Sequence, residues 1–209
     1  MGLLYTSVEA TVGIVAGIAS GSVSLLGFGI DAAIEFTAGL TAHWRLAADG
    51  DEERRERIEG QAHRVIALLL LALGAYVTFE SAEALILGVG PRRNWPGIAL
   101  AVTSVSFMPW LARAKLQVAT MLRSGALKAQ AAQTRICAWL AGILLLGLGL
   151  DAAFDWWWAD AVAGLAMVPL IVKEGLDALR GDHTHHFLGD DISEVQKHRA
   201  PVILKSERR

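Results

Sequence analysis

Long apolar stretches alternate with short polar interruptions along this chain. The first stretch covers about residues 3–20, and Gly21-Ser22 makes a tight turn into a second, about 22–46. The charged run "DGDEERRERIEG" at 49–60 breaks the pattern and reads as a solvated loop. A third stretch covers about 62–89, and "PRRNWP" at 91–96 turns the chain into a fourth, about 96–112. Its helix continues toward Leu122, because "RAKLQVATMLRSG" is amphipathic. A fifth stretch covers about 126–150 and a sixth about 157–176. Crossing a bilayer takes about 20 apolar residues in a helix. The pattern therefore predicts an all-α integral membrane protein: six transmembrane helices in one domain over 1–180. The polar tail, 181–209, is too short to build its own core and reads as disordered.

Composition agrees. The 209 residues are 54% hydrophobic, with a mean hydropathy of +0.42. Charged residues make up 19%, below the roughly 25% of soluble domains. The net charge of -2 points to no partner class, and no basic stripe with interleaved aromatics suggests nucleic acid. One cysteine, Cys137, excludes an internal disulfide. The N-terminus lacks a basic n-region and a small-residue cleavage site, so no removable signal peptide is expected. Of 19 Lys and Arg, all but Arg92 and Arg93 fall on one side of the six spans or in the tail. The positive-inside bias then places both termini in the cytoplasm; the expected location of this multi-pass protein is the cell membrane. Trp156, Trp157 and Trp158 stand where an outer aromatic belt is expected.

Against this background "GFGIDAAIEF" (27–36) carries two acids. Asp31 lies roughly 13 Å along its helix from the outer turn, at 1.5 Å per residue. That is near mid-bilayer, where a lone Asp costs about 2.5–3.5 kcal/mol by insertion scales. Glu35 follows at i+4, on the same face. Two anions this close repel each other, so the pair calls for a shared proton or a bound cation. Gln133 and Cys137 are likewise four apart, in the fifth segment. An amide carbonyl and a thiolate, added to two carboxylates, would make a four-ligand site of the tetrahedral kind zinc prefers. Asp160, opening the sixth segment, is a candidate lining of a cation path. In the tail, "GDHTHHFLGDD" sets His183, His185 and His186 beside acids, a weak metal-collecting cluster. Glu80 and Glu83 fall late in the third segment, and Asp151 and Asp155 read as outer-loop acids. No HExxH, nucleophile motif or open His₂-carboxylate set points to an enzyme, so no catalytic residue is expected.

These residues carry a resemblance. Over about residues 7–180 the sequence resembles the cation diffusion facilitator transporters. "EATVGIVAGIASGSVSLLGFGIDAAIEFTAGL" is similar to that family's first hairpin, whose second helix carries two metal ligands four apart, here Asp31 and Glu35. "SGALKAQAAQTRICAWLAGILLLGLGL" is similar to its fifth helix, where a His and an Asp are usual and Gln133 and Cys137 stand here. "WADAVAGL" resembles the start of its sixth helix, with Asp160 at a common acidic position. Members usually carry a cytoplasmic metal-binding domain, and the short tail here resembles a small subgroup without one. The resemblance implies a homodimer that exports a divalent cation, Zn²⁺ or a similar ion, in exchange for protons, with no permanently bound cofactor. The alternative is a non-transporting relative, a membrane metal sensor or partner subunit.

Overall fold

The computed structural model describes residues 2–47, 52–121 and 125–180, with side chains over 2–40, 64–121, 128 and 130–179. Six helices follow in order: α1 (Gly2–Ser20), α2 (Val23–Ala47), α3 (Glu52–Leu87), α4 (Trp95–Met121), α5 (Gly125–Phe154) and α6 (Ala159–Arg180). No strand occurs among the described residues. α1 to α5 are each long and apolar enough to cross a membrane. The 22-residue α6 carries Asp160, Lys173 and Glu174 within its first 18 positions. The expected loop at 49–60 is corrected: from Glu52 onward the charged run is the first part of α3. Charge density marks exposure, and Glu and Arg are good helix formers, so an exposed helix satisfies the same pattern. α4 continues to Met121 through an internal Pro109, as the amphipathic extension suggested.

The three connections on one end interlock. Gly21, at φ 71°, ends α1, and the amides of Gly21 and Ser22 both donate to the Gly17 carbonyl. The Arg92 amide donates to the Ser20 carbonyl at 2.8 Å, and Asn94 Nδ2 donates to the Ala16 carbonyl at 2.8 Å. A side chain on Gly90 would strike Trp157, so the α3–α4 and α5–α6 turns are also in contact. Arg93 pairs with Asp155 across them at 2.6 Å, both exposed. The helices therefore alternate up and down, and Gly2 and Arg180 share the opposite end. Asp151 is not a loop acid: it is buried in the last turn of α5.

α2 is the central helix, packing on α1, α3, α5 and α6. Over residues 23–40, 61% are buried, against 33% to 39% in the other four apolar spans. Its approach to α1 is backbone to backbone. A Cβ on Gly13 would lie 2.7 Å from Gly29 Cα, and one on Gly17 2.7 Å from the Leu26 amide nitrogen. Small residues let membrane helices come this close, replacing the hydrophobic drive that lipid does not supply. Leu25, Phe28, Leu70, Leu140, Leu144 and Met167 fill the interior. Outward, Val15, Ile18, Leu68, Phe79 and Leu146 are exposed, while Glu9, Asp31, Glu35, Thr134 and Glu174 are buried. Apolar outside and charged inside is the distribution a bilayer selects.

Candidate cation site

The inward face of α2 carries both acids of the 27–36 stretch, Asp31 at 1% and Glu35 at 5% exposure. α5 runs antiparallel beside it and supplies Cys137, 1% exposed. The thiol lies between the carboxylates: its Sγ is 3.3 Å from Asp31 Oδ2 and 3.0 Å from Glu35 Oε2. One turn earlier on α5, Thr134 Oγ1 donates to Glu35 Oε1 at 2.8 Å. Lys115, reaching across from α4, places Nζ 2.7 Å from Thr134 Oγ1 and 3.4 Å from Glu35 Oε1. Three side chains from two helices, α4 and α5, thus engage Glu35. Asp31 Oδ1 has no hydrogen-bond partner, an open acceptor in the interior.

Two further carboxyls border the pair. Glu9, on α1, is fully buried; Ser104 Oγ donates to its Oε1 at 2.5 Å, and Tyr5 donates in turn to Ser104. The Gly13–Gly29 contact sets the antiparallel register of α1 and α2, which brings Glu9 to a depth between Asp31 and Glu35. Glu174, on α6, is buried and hydrogen-bonded to Gln133. Glu9 Oε2 and Glu174 Oε2, like Asp31 Oδ1, have no partner. An unsatisfied carboxyl oxygen inside a membrane is costly, so these atoms are poised to accept a proton or a cation.

The chemistry of this arrangement is that of a contracted site. Among the described residues no three His, Cys, Asp or Glu side chains converge to hold a metal ion as they stand. The sulfur–oxygen separations are those of a thiol hydrogen-bonded to carboxylates. A bound ion would replace the thiol proton and draw ligands to about 2.0–2.3 Å. The donor set fits such an ion: two carboxylates, a thiol that becomes thiolate, and a free acceptor on Asp31.

Of the residues singled out in the sequence, Asp31, Glu35 and Cys137 come together. Gln133 does not join them in this conformation: its side chain turns to Glu174. Asp160 is engaged elsewhere. Its carboxylate accepts from Ser22 Oγ at 2.6 Å, from the Val23 amide at 2.9 Å, and from Ser24 Oγ. It caps the N-terminus of α2 and fastens it to α6, which is the work of a clamp rather than of a path lining. His183, His185 and His186 lie outside the described residues.

Sequence reasoning passed over Glu9, Lys115, Thr134 and Glu174. For the two glutamates the signal was present, since an acid inside an apolar span is itself a marker. Lys115 counted as a cytoplasmic charge. Its register gives it away: Leu111, Ala112 and Ala119 are buried, and Lys115 shares their side of α4.

The family profile of the cation efflux transmembrane domain matches residues 1–182. No curated protein matches the chain. A match over most of the length, together with a helical bundle that turns apolar residues outward and acids inward, makes this multi-pass membrane protein a member of the cation efflux, or cation diffusion facilitator, family.

Proposed function

We propose that the protein exports a divalent metal ion, Zn²⁺ or a similar borderline-to-soft cation, from the cytoplasm by exchange for protons. The observation that carries the reading is the Cys137 thiol set between Asp31 and Glu35 across the α2–α5 contact, with Asp31 Oδ1 free beside it. Metal would bind to Asp31, Glu35 and Cys137, with Gln133 joining once it leaves Glu174. These ligands must lose protons to take metal, so protons from the far side drive its release. Alternating access would come from movement of helices around this fixed site. A thiolate favours softer ions over Mg²⁺ and Ca²⁺. Both termini face the cytoplasm in this reading, which the charge bias supports, and the working unit is a homodimer in the cell membrane.

The test is a metal panel in proteoliposomes, with and without a pH gradient. Zn²⁺ or Cd²⁺ flux that rises with an opposing proton gradient is the expected result. Metal binding without flux would sink the transporter reading and leave a membrane metal sensor.

A further inference from the structure

Neither the ligand chemistry of the site nor proton exchange calls for Lys115. It comes from α4, whereas the carboxylates are on α2 and Thr134 on α5. Its side chain is only 18% exposed, and the aliphatic stem passes against the start of α1 at Gly2. The ammonium meets Glu35 Oε1, the same oxygen that receives the Thr134 hydroxyl. Glu35 Oε2 faces the thiol. Both oxygens of Glu35 are therefore engaged, and one of the engaged groups is itself a cation.

We propose that Lys115 is a tethered resident cation of the Asp31–Glu35 site, which the cargo metal must displace in order to bind. The inference rests on the proposed function above. A dication on Glu35 would lie within about 5 Å of the ammonium, where like charges in a poorly screened interior repel strongly. The ammonium sits on Oε1 and the thiol faces Oε2, so it is this repulsion, not competition for one oxygen, that would drive the ammonium off as metal binds. A lysine suits the part: it is a compact point charge on a four-carbon stem, well hydrated once it withdraws, and it has no fork with which to hold a carboxylate at two points. When metal leaves, the returning ammonium neutralises Glu35, so the emptied site is not a bare anion pair. Lys115 thus sets metal affinity below what the ligands alone would give, and it speeds release.

The experiment titrates Cd²⁺ and Zn²⁺ into the purified full-length protein at fixed pH, by calorimetry, for the wild type, Asp31→Ala, Lys115→Met, Lys115→Gln and Lys115→Arg. Lys115→Met and Lys115→Gln should bind metal about tenfold more tightly or better, and Lys115→Arg no more tightly than the wild type. The glutamine variant keeps a hydrogen-bonding group near Glu35 and serves if the methionine variant does not fold. In proteoliposomes the two neutral variants should show a lower KM together with a lower maximal rate. A side chain that merely holds helices together would not tighten binding when removed. Unchanged or weaker binding in the neutral variants, with Asp31→Ala inactive and the wild type binding, would overturn the role of Lys115 alone. A wild type that binds no metal would overturn the proposed function, and this inference with it.

Discussion

In the proposed transporter, Cys137 is the residue on which ion choice would turn. It is the one soft donor in contact with both carboxylates, and replacing sulfur by oxygen hardens the site. Cys137→Ser should weaken Cd²⁺ binding about tenfold or more while changing Mn²⁺ binding far less. Competitive titration of the two ions checks this, and an equal loss for both would remove the thiol from the ligand set. Protons should compete for the same groups. The proposed ligands must shed protons to take metal, so metal binding should weaken as pH falls. A titration series between pH 8 and pH 6 should show affinity falling steadily. At this scale the sequence was legible where a costly group stood out: Asp31 and Glu35 by their place in an apolar helix, Cys137 by its spacing. Gln133 was not: it stands on nearly the same face as Cys137, but its side chain bonds Glu174 on α6, a neighbour that no spacing within α5 reveals.

Elements hold this site through contacts at their backbones and ends. The α1–α2 crossing at Gly13 and Gly29 leaves no room for a side chain. Gly13→Leu should force the helices apart, lowering the melting temperature in detergent and abolishing flux, because α2 carries both acids. A variant that melts and transports like the wild type would show the crossing to be dispensable. Asp160 ties the first turn of α2 to α6 through Ser22, Val23 and Ser24. Asp160→Ala strands buried donors and should cost about 2–4 kcal/mol of stability. Flux per folded molecule should be largely kept, since no ligand is lost, and a flux loss in a fully stable variant would restore Asp160 to the cation path. Apart from the start of α3, the helices themselves were legible from apolar length to within about four residues at each end. The start of α3 was not: an alternating run of Glu and Arg states only that its surroundings are wet.

The whole molecule is a bundle with its most polar helix faces turned inward and its apolar surface outward. Its three interlocked turns hold one end, and the other end is richer in Lys and Arg. Under the proposed export, metal would enter at that second end. Family membership was legible in the first hairpin, whose turn and paired acids survive as residues. The contraction around Lys115 was not, because no spacing within one helix reveals what a neighbouring helix brings. The most direct test of the account is Zn²⁺ flux into proteoliposomes under a pH gradient, comparing the wild type with a folded Asp31→Ala. The account predicts proton-driven flux in the wild type and, in the variant, no more than empty vesicles show. Undiminished flux in the variant would contradict it.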